Sequence, residues 1–256
     1  MEFVGKSLAL SSGGLASAAQ SLSVSVPEIW AVLAVETSGC GFLEDRRPPI
    51  LFERHYFHRL TGGRFDDGDI SDPTPGGYGA GGVHQYDRLA RAIALDRIAA
   101  LRSTSWGLGQ IMGENSAMAG YPDAGSMVAA MCDSEDAQLA AVASFILNKK
   151  LAAALQAHDW AALAAGYNGP SYAKNQYDGR LRGEYQKYST GAMPDLSARA
   201  AQLYLTFGGY HPGPVDGFPG PRTRSAIADF QQRQNLPVTS EVDDNLLAQL
   251  AAAVFA

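Results

Sequence analysis

The spacing of apolar residues along the chain predicts a mostly α-helical protein. The apolar run Ile29–Val35 is typical of a buried helix that begins near Pro27 and ends at Gly39. Residues 7–22 and 85–101 carry apolar side chains on one helical face and polar side chains on the other. The same pattern predicts further helices at 106–118, 125–132, 134–149, 149–157, 159–167 and 174–187, with N-cap residues Ser105, Ser134 and Asp159.

Two segments interrupt this helical pattern. The stretch 39–85 is rich in Gly, Pro and Asp, and a loop of that length inside a compact domain is usually functional. It has room for a small β-hairpin within residues 40–85. Residues 189–196 have the composition of a linker, and three short amphipathic helices follow them. We therefore expect a helical domain over 1–188 and a three-helix bundle over 197–256.

Composition and charge narrow the classes of partner. The 256-residue chain has a formal net charge of −6, which argues against nucleic acid or an anionic membrane as its partner. No run approaches the length of a membrane span. Because Lys6 is the only positive charge near the N-terminus and no unbroken apolar core follows it, we expect no Sec signal peptide. Cys40 and Cys132 could pair, but buried free thiols suit a chain of this size better.

Glu36 is the first candidate for catalysis. It ends the apolar helix, where a carboxyl at the wall of a cleft is partly desolvated. Desolvation disfavours the charged form and raises the pKa, so the group can hold a proton at neutral pH. A glycosidase general acid needs this property. The alternative is an ordinary surface glutamate at a helix end.

Two later segments carry a family resemblance. They are Ser105-Trp-Gly-Leu-Gly-Gln-Ile-Met112 and Ala165-Gly-Tyr-Asn-Gly-Pro170. In order after Glu36, they resemble the lysozyme-like superfamily, and within it the phage-endolysin N-acetylmuramidases. The segments 47–55 and Tyr172-Ala-Lys-Asn175 add to the likeness. The resemblance implies a lysozyme-like α-helical fold over roughly residues 5–188.

The resemblance also implies roles for individual residues. Glu36 would protonate the glycosidic oxygen, and Tyr167 could shield it or hydrogen-bond to it. The sugar cleft would be lined by Ser105, Gln110, Tyr167 and Asn168. Inversion needs a second carboxylate as base, and retention needs a nucleophile or a substrate group in its place. Asp45, nine positions after Glu36, and Glu53 are the two candidates. A partly buried Glu53 would need a cation beside it, for which Arg47 and Arg54 are available.

Other chemistries are less well supported by the residues. Glu53, His55 and His58 do not have the spacing of a strong metal motif, so we expect no metal, and no motif indicates a cofactor. Ser105 lacks the sequence context of a nucleophile. The glycine-rich stretch after Asp72 is not closed by Gly-Lys-Ser/Thr, which argues against a phosphate loop.

The last 60 or so residues resemble the three-helix peptidoglycan-binding domain. The matching features are Asp216-Gly217, Gly220-Pro-Arg-Thr223, Ala226-Ile227 and Phe230-Gln231. Ser240 stands where the family usually has glycine. The resemblance places Asp216 and Arg222 among the wall-binding residues. The alternative is a small accessory helical bundle without a ligand.

Together the two resemblances imply a monomeric lysin that cleaves the β-1,4 bond between N-acetylmuramic acid and N-acetylglucosamine in peptidoglycan. A lytic transglycosylase, which leaves 1,6-anhydromuramic ends, and a non-catalytic wall-binding protein remain as alternatives. Without a Sec signal, access to the wall would depend on a partner such as a holin. Deletion of residues 190–256 is expected to weaken retention on the wall more than the chemistry.

Overall fold

The computed structural model describes residues 1–37, 40–65, 67–169 and 172–255. The helices in these ranges are α1 Ser12–Leu22, α2 Val26–Thr37, α3 Arg54–Leu60, α4 Gln85–Leu95, α5 Arg97–Arg102, α6 Ala124–Asp133, α7 Glu135–Asn148, α8 Ala152–Gln156, α9 Trp160–Asn168, α10 Tyr177–Thr190, α11 Leu196–Phe207, α12 Pro221–Arg233 and α13 Asp244–Phe255. The strands are β1 Ile50–Phe52, β2 Thr104–Trp106 and β3 Ile111–Met112. The mostly α-helical class is thus confirmed.

Helix α2 lies at the centre of the larger domain. Ile29, Trp30, Ala31 and Leu33 are all buried, as expected of a helix that is apolar on every side. The helix packs against α1 and along α10. Its buried position brings Glu36, near its C-terminal end, to the wall of a cleft. Gly39, the predicted stop, lies outside the described residues.

A small antiparallel sheet in the order β1-β2-β3 forms the other side of this cleft. Leu51 pairs with Ser105, and Ser105 pairs with Met112. The predictions of a helix over 106–118 and of Ser105 as its N-cap are therefore wrong. The reason is the tight turn between β2 and β3, in which Gly107 and Gln110 both have positive φ and so leave the right-handed helical region. The hairpin is thus β2–β3, and only β1 comes from the stretch 40–85.

The other helix predictions hold with local changes. Ser134 and Asp159 accept hydrogen bonds from backbone N–H groups three residues on, which confirms them as N-caps. The predicted helix at 85–101 is two helices, because Asp96 adopts an extended conformation and caps α5. Helix α3 was not predicted. Pro170, the predicted stop after α9, and the side chains of Tyr172 and Lys174 lie outside what the structure describes.

Helices α11, α12 and α13 enclose the small core of the C-terminal domain. Its centre is Ile227 and Phe230, packed against Leu205, Leu246 and Leu250. A second apolar cluster crosses to the larger domain, where Phe42 packs with Leu203 and Val215. The two domains therefore share buried surface.

Cysteines and candidate membrane segments complete the description. Cys40 and Cys132 are free thiols. Within the described ranges no single helix is long and apolar enough to cross a membrane, although α1 and α2 pass that test as a pair bent by 104°.

Candidate active site

A cleft of about 570 Å³ opens between the end of α2, the β2–β3 hairpin, α3 and the end of α9. It brings together most of the residues expected to act on a sugar, namely Glu36, Glu53, Ser105, Gln110, Tyr167 and Asn168. Its exposed surface is mostly polar, as suits a carbohydrate ligand. Asp45 is not among the residues that line it.

Glu36 is the acid of this cleft. Burial raises its pKa from an ordinary 4.5 to about 7, although a hydrogen bond from Asn168 and the charge of Arg180 both act to lower it. The Asn168 amide nitrogen lies 3.3 Å from Glu36 Oε1. At neutral pH a large fraction of Glu36 is therefore protonated and able to donate to a leaving oxygen.

The Tyr167 hydroxyl hydrogen-bonds to the turn of the β2–β3 hairpin rather than to Glu36. Its hydroxyl donates a hydrogen bond to the Gly109 carbonyl at 2.8 Å, and its ring stands edge-on to Phe145. Of the two roles expected for Tyr167, donation of its hydroxyl to Glu36 is therefore not the one seen, and shielding of the acid stays a prediction. Tyr167 nevertheless lines the same cleft as the acid, and burial, with a smaller contribution from the Glu36 charge, raises the tyrosine pKa well above its ordinary value.

Ser105 and Gln110 form a polar bridge at the floor of the cleft. The Ser105 hydroxyl donates to Gln110 Oε1 at 3.0 Å. Gln110 Nε2 donates to the carbonyls of Pro49 and Gly107 at 3.1 and 3.0 Å. The Gln110 amide therefore ties the turn to the segment before β1, which leaves its oxygen as the group with acceptor capacity for a ligand.

Glu53 lies across the cleft on the residue before α3, and its side chain is 15% exposed. Burial raises its pKa, opposed by a hydrogen bond from Tyr78 and by the charge of Arg88. His55 Nδ1 is 3.2 Å from Glu53 Oε2, but burial and the charges of Arg59 and Arg54 lower the histidine pKa. Near neutral pH, His55 is therefore an uncharged neighbour.

The expected partners of Glu53 were wrong. Arg47 forms a salt bridge with Asp45 at 2.5 Å, and its guanidinium stacks on the Tyr86 ring. Arg54 donates to the Gly68 and Thr74 carbonyls and lies 3.6 Å from Asp72. Asp45 is thus held in an ion pair away from the cleft, and the carboxyl group that faces Glu36 across the cleft is that of Glu53.

Comparison with known proteins decides the family. The model for the Muramidase family, described as N-acetylmuramidase, matches residues 25–189. This chain belongs to the N-acetylmuramidase family. It is therefore a glycoside hydrolase of the muramidase type. A family described as putative peptidoglycan binding domain matches residues 196–250 of the same muramidase.

A solved structure agrees with this assignment. The muramidase is similar to the crystal structure of the Burkholderia AP3 phage endolysin, with 41% sequence identity and a TM-score of 0.64. The match covers 70% of this chain and 70% of the other. A comparison with curated proteins found no significant match.

In the peptidoglycan-binding domain of this muramidase, the two residues expected to bind the wall have different surroundings. Asp216 accepts hydrogen bonds from the Gln202 side chain and the Phe218 backbone, so it closes the loop after α11. Arg222 lines a shallow pocket of about 320 Å³ that also contains His211 and Asp229. Ser240 adopts a positive φ of 60°, the conformation for which glycine is preferred at this turn.

Several cleft residues were not found from the sequence. Lys149, Tyr56, Asn115 and Tyr177 line the muramidase cleft, yet each lies in an ordinary helical or turn context that carries no signal. Tyr78 reaches Glu53 from the glycine-rich stretch, where loop length was the signal. In the part of the chain that the structure describes, no three His, Cys, Asp or Glu side chains are grouped closely enough to hold a metal ion.

Proposed function

We propose that this muramidase is an endolysin that hydrolyses the β-1,4 bond between N-acetylmuramic acid and N-acetylglucosamine in peptidoglycan. The observation that carries the proposal is Glu36, a buried carboxyl with a pKa of about 7 in a polar cleft. The family match and the similarity to a phage endolysin support the same substrate.

Glu36 acts as the general acid. Its protonated form donates to the glycosidic oxygen as the bond breaks, and the Asn168 amide keeps the carboxyl aimed into the cleft. Since protonated Glu36 is the active form, kcat/KM falls as the pH rises through about 7. The positive charge that develops on the sugar ring is stabilised when Glu36 becomes a carboxylate after the transfer.

Glu53, and not Asp45, acts as the second carboxylate. Glu53 lines the cleft, and although burial raises its pKa, a hydrogen bond from Tyr78 and the charge of Arg88 oppose that rise. It would activate the attacking water or stabilise the oxocarbenium-like transition state. Asp45 is already paired with Arg47.

The remaining cleft residues bind the glycan. Gln110 Oε1 and the amide of Asn168 offer polar groups to sugar hydroxyls and acetamido groups, and Lys149 places a positive charge at the rim. The lactyl carboxylate or peptide stem of muramic acid is a fitting partner for that charge. The second domain holds the enzyme to the wall through peptidoglycan. We propose that the enzyme acts as a monomer and reaches the wall through a holin.

Mass spectrometry of the soluble products from purified sacculi tests this function. We expect fragments with reducing N-acetylmuramic acid ends, which borohydride converts to muramitol. The Glu36→Gln variant serves as the control and should release none. Anhydromuramic ends would contradict hydrolysis and identify a lytic transglycosylase, whereas reducing glucosamine ends would place cleavage at the other glycosidic bond.

A further inference from the structure

A fully buried ion pair joins the two domains. Glu135 begins α7 in the catalytic domain, and Arg199 lies in α11 of the peptidoglycan-binding domain. Their side chains are 0% and 1% exposed. Arg199 Nη2 donates to Glu135 Oε1 at 2.7 Å, and Nη1 donates to Oε2. This two-pronged geometry is the strong form of a charged hydrogen bond.

The same carboxylate holds the backbone that follows the catalytic acid. Glu135 Oε1 accepts a hydrogen bond from the Gly41 N–H at 2.7 Å, and Oε2 accepts one from the Leu10 N–H at 2.8 Å. Gly41 lies five residues after Glu36. A side chain on Gly41 would collide with Gln138 and Glu135, so Gly41 lies directly against α7.

Gln138, one turn further along α7, extends the network to the cleft. Its Nε2 donates to the Gly41 carbonyl at 2.9 Å, and its Oε1 accepts from the Leu108 N–H at 2.7 Å. The next residue, Gly109, accepts the Tyr167 hydroxyl. Tyr167 in turn precedes Asn168, the residue that hydrogen-bonds to Glu36. Polar contacts, joined at two points by residues adjacent in the chain, thus link the wall-binding domain to the catalytic acid.

We propose that Arg199 is a positioning residue for catalysis, so that the peptidoglycan-binding domain completes the active site in addition to anchoring it. Removing the cation from a buried ion pair leaves an uncompensated charge, which the surroundings must rearrange to accommodate. Without Arg199, the Glu135 carboxylate therefore moves from its place against the Gly41 and Leu10 N–H groups, and its hold on the Gly41 backbone weakens. The inference rests on the proposed function only in taking Glu36 as the acid.

The test compares variants of the full-length enzyme on soluble glycan strands from which the peptide stems have been removed. This substrate separates turnover from retention on the wall. The variants are Arg199→Met, Arg199→Lys and the double variant Glu135→Gln/Arg199→Met. Arg46→Met is the matched control, because Arg46 also spans the interface, to the Val254 carbonyl and the Phe255 ring, but does not contact Glu135.

We expect Arg199→Met to lower kcat by about 10- to 100-fold, the scale of a small misplacement of catalytic groups, with little change in KM. Water reaching Glu36 should also move the alkaline limb of the kcat/KM profile to lower pH. The kcat of Arg199→Lys should lie between that of Arg199→Met and that of the wild type, because lysine keeps the positive charge but cannot donate to both carboxylate oxygens in the arginine geometry. Arg46→Met should stay within about twofold of the wild type.

The double variant separates positioning from stability. It removes the unpaired buried charge, so its melting temperature should recover towards the wild type. Its kcat should stay low, because the Gly41 and Leu10 N–H groups bind different oxygens of Glu135, and glutamine replaces one of these oxygens by an NH2 group that cannot accept. Recovery of kcat together with stability, or a wild-type kcat and pH profile for Arg199→Met, would overturn the proposal.

If Arg199→Met does not fold, the kcat values of Arg199→Lys and the double variant decide the question. A wild-type enzyme that releases no product would instead refute the proposed function.

Discussion

Glu36 shows at the scale of one residue how catalysis and stability oppose each other. Its pKa is raised from 4.5 to about 7, so the folded protein binds more protons than the unfolded chain between those values. Stability therefore falls as the pH rises through this range. Since one pKa unit corresponds to about 1.4 kcal/mol, ionised Glu36 costs the fold about 3 kcal/mol above neutral pH.

The substitution Glu36→Gln should therefore abolish hydrolysis and stabilise the protein at alkaline pH. Glutamine resembles the protonated acid in shape and has no charge to desolvate. We expect melting temperatures equal to the wild type near pH 4 and several degrees higher at pH 8, as measured by circular dichroism. More than a few per cent residual activity would remove Glu36 from its catalytic role, and equal melting temperatures at pH 8 would show that its pKa is ordinary.

Arg180 should set the pH range of activity. Its positive charge lowers the pKa of Glu36, so Arg180→Met should raise that pKa. Glu36 then stays protonated to higher pH, and the alkaline limb of the kcat/KM profile moves to higher pH. Arg182→Met, an exposed change of the same charge on the same helix, is the control and should leave the limb in place. Movement of the limb in the opposite direction would contradict the assignment of that limb to Glu36.

Activity measurements on purified sacculi, with melting curves as a folding control, can show whether Glu53 or Asp45 is the second carboxylate. Glu53→Gln should lower kcat by at least about 100-fold, a typical contribution of acid–base catalysis. Asp45→Asn should retain most of the activity, because Asp45 is paired with Arg47 outside the cleft. Both variants need a melting curve as a folding control. The reverse ranking on purified sacculi would restore Asp45 as the second carboxylate.

The sequence predicted the residues of the site better than their partners. Glu36 and Asn168 could be found because each lies at the end of a helix with a local motif. The environment of Glu53 could not be predicted, because Tyr78 and Arg88 are distant from it in the sequence and come near it only in the folded protein. A carboxylate pairs with the cation that is nearest to it in the folded structure. Arg47 and Arg54 are near Glu53 in the sequence, but neither is its partner in the fold.

At the scale of elements, the β2–β3 hairpin is the clearest difference between prediction and structure. Its apolar positions fit a helix as well as a strand, because the segment is short. The outcome depends on pairing with β1, more than fifty residues earlier in the chain, and on the positive φ of Gly107. Neither is visible in a local pattern. The longer helices α6, α7 and α9 were found because several turns share one apolar face.

Gly109 should tolerate no side chain. A Cβ there would lie 2.3 Å from a Val142 methyl carbon and 2.7 Å from the Tyr167 hydroxyl. Gly109→Ala should cost about 1–3 kcal/mol of stability from overpacking and lower kcat as α9 moves. Gly179→Ala in α10, with nothing within 4 Å, should instead gain up to about 1 kcal/mol. Thermal melts and kcat of the two variants check this, and equal effects would contradict the packing argument.

At the scale of the whole molecule, the two domains should unfold together. The Glu135–Arg199 pair and the cluster of Phe42, Leu203 and Val215 are buried between them, so separation would expose charge and apolar surface. We expect one calorimetric transition with equal van't Hoff and calorimetric enthalpies. Arg199→Met, which leaves a buried carboxylate without its partner, should lower the melting temperature. Two resolved transitions in the wild type would show independent domains.

Both domains could be recognised from the sequence because each carries its own ordered motifs. The contact between the two domains could not be predicted from the sequence, because Glu135 and Arg199 are 64 residues apart and neither belongs to a recognisable motif. The expectation of a linker and a separable anchor followed from composition alone. In the structure α10 continues to Thr190 and α11 begins at Leu196, which leaves only a short connection.

The Arg199–Glu135 pair also links the activity of the enzyme to the order in which its two domains are synthesised. A ribosome makes the catalytic residues first, and domains generally fold as they emerge. Glu135 then lacks its cation until Arg199, 64 residues later in the chain, has been translated. A nascent or prematurely terminated chain would hold Glu36 and Asn168 without the contacts that we propose align them. Such a chain should be a poor lysin, so full activity would appear only after the segment that contains Arg199 has been translated and has folded onto the catalytic domain.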